Sequence, residues 1–235
     1  MSNVVHQSVS SFFDMTDNYL HKSYGVKIRS ELVQELCGSL SGKRILDVGS
    51  GDGSLSVPFL ESNVVDFVDV SINMLNLIKS RIGNHDDKAN FYHMPFEEFT
   101  TTRKYDLIIG VGILAHVPSI PVVIKMMSDL LAPGGHIILQ FSDSENIVTR
   151  LTFLVSSRSK RRYELNRISY KEMKSSVTEV GLMIEKEFRY SIVLPGMGRL
   201  PNYLLYKCTR LTLKNRILSR FGSDLVWLLT KETLQ

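Results

Sequence analysis

Two cysteines in 235 residues, Cys37 and Cys208, stand far apart and in no C-x-x-C pair. That spacing excludes a disulfide framework and a cysteine zinc site. It leads us to expect reduced thiols in a cytoplasmic protein with no metal centre. No internal repeat or low-complexity tract is present. No uninterrupted apolar run is long enough to span a bilayer, so stable membrane insertion is not expected. The opening MSNVVHQSVSSFF lacks the basic start and the apolar stretch of a signal peptide. Neither sign of charge dominates: 28 Lys and Arg against 24 Asp and Glu leave +4. That mild excess permits an acidic partner without requiring nucleic acid, and we expect none. A hydrophobic content of 43% suits a single domain with a sizeable core.

What the chain does have is a glycine turn after an apolar run, RILDVGSGDGSL at 44–55. Ile45, Leu46 and Val48 read as a buried parallel strand. Gly49, Ser50, Gly51, Asp52 and Gly53 let the chain bend sharply and let a ligand approach bare backbone. The spacing is G-x-G-x-G. A dinucleotide fingerprint needs glycine at position 54, where this chain has Ser54. About 20 residues beyond the turn, Asp69 ends a second apolar run, Val64 to Val70, where a carboxylate can accept both ribose hydroxyls. Ser71 suits a helix N-cap.

The remaining elements alternate, which predicts a parallel sheet with helices on both faces. An amphipathic helix is expected over Val26–Leu40, ahead of the first strand. Another is expected over Leu55–Leu60, beginning close to Gly53 because Pro58 is tolerated only in a first turn. A third strand should run from Phe91 into a turn by Phe99, and a fourth over Tyr105–Gly112. A helix follows Ser119 and runs to Leu131. A fifth strand covers Ile137–Phe141, and residues 143–168 read as a solvated loop carrying the basic run Arg158, Lys160, Arg161 and Arg162. A helix capped by Ser169 and ended by Gly181 precedes a sixth strand, Leu182–Arg189. A basic amphipathic helix, Tyr203–Phe221, comes before the closing strand Asp224–Lys231.

Three runs together, the D-x-G-x-G-x-G turn, DVSINML at 69–75 and LAPGGHIIL at 131–139, resemble the class I S-adenosylmethionine-dependent methyltransferases of small-molecule type. The resemblance covers Val26–Lys231. It implies a Rossmann-like, doubly wound seven-stranded sheet, mostly parallel with the last strand antiparallel. The expected layout is an N-terminal lid at 1–25, a cofactor core at 26–189, a substrate-side insertion at 190–223 and a closing strand at 224–235. On that resemblance Asp47, Gly49, Ser50, Gly51, Asp69, Val70, Met74 and Val111 contact the cofactor. Met94 and Pro95 do so at the adenine position, where the family usually carries an aspartate. Met74 has a second reading, as a core methionine beside Leu75, Ile78 and Ile82. Phe13–Tyr19 is similar to the F-x-x-x-A-x-x-Y lead of these enzymes, with Thr16 or Asp17 in place of alanine, and puts Tyr19 on the acceptor side with Tyr203.

The implied reaction is methyl transfer to the oxygen, nitrogen or carbon of a small-molecule acceptor. His116, in ILAHVPS after the fourth strand, reads either as the general base or as a structural turn histidine. Two other classes stay open: a binding protein that keeps the fold without catalysis, and an NAD oxidoreductase, which Ser54 opposes. The insertion's basic face is compatible with peripheral membrane contact. No Asn/Asp-Pro-Pro-aromatic motif of nucleic-acid methyltransferases is present. The oligomeric state is left open.

Overall fold

Apolar residues alternate between two faces along the central strands, and that alternation builds the molecule. The computed structural model describes residues 23–155, 166–192, 194, 197 and 200–231. Seven strands form one sheet: β1 Arg44–Val48, β2 Val64–Asp69, β3 Ala89–His93, β4 Tyr105–Val111, β5 Leu131–Ser142, β6 Leu182–Tyr190 and β7 Asp224–Lys231. Their order is β3-β2-β1-β4-β5-β7-β6. β7 is antiparallel to both neighbours, and the other pairings are parallel. The expected doubly wound sheet with an antiparallel last strand is the one observed.

Ile45, Leu107, Ile109, Ile138, Val226 and Leu228 face one apolar cluster, closed by α1 Ser23–Cys37, α2 Ile72–Arg81 and the inner side of α6 Asn202–Lys214. Leu46, Val48, Ile108, Ile137, Leu139 and Trp227 face the other, under α3 Ile120–Leu130 and α5 Tyr170–Glu179. Single-residue alternation sends neighbours to opposite faces, so each strand serves both clusters. Ser169 caps α5 in a reciprocal capping box with Glu172, and Gly181 follows it with φ +72°, as the sequence pattern anticipated.

Several expectations need correction. The segment after the glycine turn is no α-helix but a short 3-10 turn, Val57–Glu61, with Pro58 in its first turn. Only Ser62 and Asn63 separate this turn from β2, so it cannot be extended forward. The third strand ends at His93, and Phe96–Glu98 is a 3-10 turn opened by Pro95. Part of the expected 143–168 loop is a helix, α4 Ile147–Val155, at whose start Asn146 accepts the Val148 amide at 2.9 Å. The basic run 158–162 lies outside the described residues. The expected single helix 203–221 is two, α6 and α7 Arg216–Ser219, broken at Asn215 (φ −104°, ψ 109°). Its side chain accepts the amides of Ile217 and Leu218 at 3.0 and 3.1 Å, a competing local bond that restarts the helix.

β5 starts six residues earlier than expected, at Leu131, with an irregularity opposite Tyr105 and Leu107. Gly135 sits in it against backbone. A Cβ there would lie 2.9–3.0 Å from the carbonyl oxygens of Tyr105, Ala132 and Asp106. Backbone cannot retreat as a side-chain tip can. Gly135→Ala should therefore destabilise the fold by about 1–3 kcal/mol, read as a lower urea midpoint with unchanged slope.

Candidate functional site: the glycine turn and the carboxyl ends of the strands

The order of the strands reverses between β1 and β4, and open α/β sheets bind ligands outside the carboxyl ends of their strands at such a point. The glycine turn stands there. Its amides are tied to β2: Gly49 and Ser50 donate to the Val68 carbonyl at 2.8 and 3.2 Å. Gly49 has φ +67°, and a Cβ on it would lie 2.7 Å from Ile113 Cδ1, so the turn is pressed against the residues leaving β4. Gly51 and Gly53 are also at positive φ. The Ser50 hydroxyl is buried with no hydrogen-bond partner.

Asp69 joins the turn to the next helix. One carboxylate oxygen accepts the Gly51 amide and the other the Ser71 amide, both at 2.8 Å. Ser71 in turn caps α2 by accepting from the Met74 amide. The same Asp69 places its carbonyl on the Met94 amide at 3.1 Å, which draws the end of β3 to the site. Val70 is linked there too, its carbonyl facing His93 Nε2 at 3.0 Å. Asp69, Val70, Met94 and Pro95 are thereby brought to one edge. Met74 is 1% exposed yet joins neither apolar cluster, unlike Leu75, Ile78 and Ile82. Val111 ends β4 beside the site, within the α1-side cluster.

Asp47 and Asp52 complete a group of three acids. Asp52, which the sequence pattern did not single out, is 5% exposed and clamped. Arg81 Nη1 reaches its carboxylate at 2.8 Å and its carbonyl at 2.7 Å, and Ser54 donates to it through both amide and hydroxyl. Asp47 is 2% exposed and accepts from the Ser56 hydroxyl. Burial pushes its carboxyl up to about 7, with further upward pressure from Asp69 and Asp52 and some relief from Ser56.

His116 sits in the turn after β4, its amide donating to the Ile113 carbonyl at 2.8 Å. Burial lowers its imidazole to about 4, so it is neutral at pH 7. Asn166 holds this turn from a distance in sequence: its amide donates to the Ala115 carbonyl, and its side chain to those of Leu114 and Val117. Tyr203 opens α6 and is 61% exposed, so its ring faces solvent. Tyr19 lies outside the described residues.

A second polar group, which the sequence pattern also missed, gathers on the β5–β7–β6 side. Ser142 donates to Asp224, and Tyr190 is 4% exposed. Burial and the Asp224 charge raise the phenols of Tyr190 and Tyr24, while Arg29 opposes the rise in both. Arg29 Nη1 lies 3.7 Å from where a Cβ on Gly112 would stand, which places the cation beside the end of β4. Ser191, just after β6, has φ +68°, an uncommon conformation for a residue other than glycine. Strand-end positions carry the signal for Tyr190 and Asp224, but nothing in the sequence says that β7 inserts between β5 and β6 and brings the two together.

A family model described as a methyltransferase domain matches residues 20–186. The chain belongs to the methyltransferase domain family. It is 33% identical over 111 residues to a ubiquinone biosynthesis O-methyltransferase of Bordetella avium, covering 46% of each chain. It thus spans about half the length of the curated relatives it matches. The magnesium protoporphyrin IX methyltransferase of Synechocystis PCC 6803, solved with bound S-adenosylhomocysteine, superposes with TM-score 0.69 at 16% identity, covering 97% of this chain and 100% of that one. A cyclase superposes almost as well, with TM-score 0.68 at 13% identity and 97% of each chain covered. Those two likenesses establish the fold. No helix among the described residues is long and apolar enough to cross a membrane.

Asp47 gives this methyltransferase domain a testable pH dependence. Its unfolded carboxyl ionises near 3.8 and its folded one near 7. Between those values the folded chain holds the extra proton, so this group removes stability as pH rises toward 7. From pH 5 to pH 8 the wild type should lose about 2–3 kcal/mol relative to Asp47→Asn, measured by urea unfolding at each pH.

Proposed function

We propose that this chain is an S-adenosylmethionine-dependent methyltransferase acting on a small-molecule acceptor. The observation that carries the proposal is the Asp69 carboxylate, fixed by the amides of Gly51 and Ser71 at the edge of a positive-φ glycine turn. The residues present suit the cofactor. Two backbone amides aim the Asp69 carboxylate, and an acceptor-only carboxylate is the chemistry that suits a sugar diol. The buried Ser50 hydroxyl has a hydrogen bond to give, and Gly49 and Gly51 leave the backbone bare. Arg29 and Asp47 offer opposite charges to a zwitterionic amino-acid tail. Val70, Met74, Met94 and Pro95 would hold the purine, and Val111 would border the reacting end.

S-adenosylmethionine, when bound, supplies a methyl group already activated on a sulfonium. The chain's own work is to hold, orient and exclude water. The acceptor pocket draws on the buried Tyr190 and the half-buried Tyr24 and Asp224, with Ser142 at their exposed edge, rather than on the exposed Tyr203. Partial likeness to O-methyltransferases makes phenolic and alcoholic oxygens the first acceptors to try, with nitrogen and carbon after them. An imidazole lowered to about 4 is a poor acceptor for a phenolic proton. We assign His116 a positioning role in the turn that Asn166 pins. The thiols of Cys37 and Cys208 are free, which suits a cytoplasmic setting.

Calorimetry with S-adenosylhomocysteine should show binding that Asp69→Ala weakens at least tenfold, because two backbone amides lose a charged acceptor. Absence of heat with the wild type rejects the cofactor, and binding without methyl release to any acceptor rejects the enzyme. His116→Asn should slow turnover less than about tenfold with an unchanged pH profile. A loss of a hundredfold or more, with the profile altered, makes it the base after all.

A further inference from the structure

The insertion before β7 presents an unusual outer surface. Residues 200–222 carry Lys207, Arg210, Lys214, Arg216 and Arg220 and no acid, so against a net charge of +4 the rest of the chain is net −1. Six of the twelve large apolar side chains exposed among the described residues lie in the same stretch. They are Leu200, Tyr203, Leu211, Leu218, Phe221 and Ile217, the last 71% exposed.

The two sets interleave on one side of α6. Leu205, Thr209 and Thr212 are buried, and Tyr206 and Leu213 pack on the α1-side cluster. Arg210 turns inward to Glu31 at 3.4 Å. Tyr203, Lys207, Leu211 and Lys214, spaced by four, four and three, stay outside, and α7 continues with Arg216, Ile217 and Leu218. The insertion's prolines, Pro195 and Pro201, fall before α6, and Pro201 is its N-cap, so none interrupts the helix. At its far end the stretch returns to the site. Gly222 crosses the backbone of Tyr190 so closely that a Cβ would lie 2.6 Å from it, and β7 begins two residues on.

We propose that this face, Tyr203, Lys207, Leu211, Lys214, Arg216, Ile217, Arg220 and Phe221, docks the protein on an anionic lipid surface. Cations alone would fit a nucleic acid equally well. Exposed isoleucine, leucine and phenylalanine between them fit an interface with an apolar layer just beneath a charged one, where long basic side chains reach up to the headgroups. Docking there sets the rim beside Tyr190 and Asp224 near the bilayer. The inference concerns attachment and stands apart from the methyl-transfer reading.

Flotation with vesicles of phosphatidylcholine containing phosphatidylglycerol, and with phosphatidylcholine alone, tests it on the full chain. Binding to the anionic vesicles only, weakening as salt rises, is expected. Lys214→Gln with Arg216→Gln should lower partitioning about fivefold per charge. Leu211→Ser with Ile217→Ser should lower it about tenfold or more at unchanged charge. All four positions are exposed, so thermal melting and S-adenosylhomocysteine binding should not move. That control separates a lost surface from a lost fold or a lost cofactor site. No flotation with anionic vesicles at low salt overturns the proposal, as does flotation that either double variant leaves intact. It is likewise overturned by a solution dimer that Leu211→Ser with Ile217→Ser dissolves, or by DNA binding without vesicle binding.

Discussion

The site depends on one carboxylate with two jobs. Asp69 closes the glycine turn through Gly51 and opens α2 through the Ser71 amide, while its own carbonyl fixes the start of the loop after β3. Three chain segments distant in sequence thereby share a single residue. Charge-assisted bonds to backbone amides are short and strong, and these two fix the direction of the carboxylate as well as its place. A flexible turn of three glycines would otherwise wander, because glycine loses more freedom on ordering than any other residue. The closed turn then constrains its neighbours. Gly49 at positive φ lies against Ile113, so the end of β4 cannot move without it.

The parts of this arrangement legible in the sequence were those set by local rules. Apolar runs of strand length, the offset of Asp69 from the turn, and caps such as Ser71 and Ser169 each involve residues close together or at a fixed separation. The seven-stranded sheet followed from their alternation and from resemblance. Local competition explains most of the misses. Pro58 and a short connection turned a helix into a 3-10 turn, and Asn215 broke another by accepting two amides itself. Non-local geometry explains the others. Arg29 reaches Gly112 from a helix, and Asn166 pins the His116 turn from the other side of a long segment. Asp224 meets Tyr190 because β7 lies between β5 and β6. No spacing rule carries information of that kind.

His116 shows why a residue type in the right place does not settle its chemistry. The same turn that presents it also buries it, and burial favours the neutral ring. A neutral imidazole can accept a proton in principle, but the driving force falls as its pKa drops below that of the acceptor. The second polar group, with Asp224, Tyr190 and Arg29 within electrostatic reach of one another, offers the richer proton chemistry.

Asp47 is the feature that stability alone cannot explain. It is sealed from water, its partner is a neutral hydroxyl, and two further carboxylates stand near it, Asp69 and the arginine-clamped Asp52. Burial of an acid without a cation costs free energy whether the group ionises or keeps its proton. An apolar residue in a strand whose other buried residues are isoleucine, leucine and valine would pack there without that cost. Such a position makes sense when a positively charged ligand group visits it: the carboxyl then gives up its proton, and part of the burial penalty is offset by the new ion pair. The fold thus keeps an unneutralised buried acid in the strand beneath the glycine turn, a cost that the sulfonium-bearing ligand proposed for this site would offset.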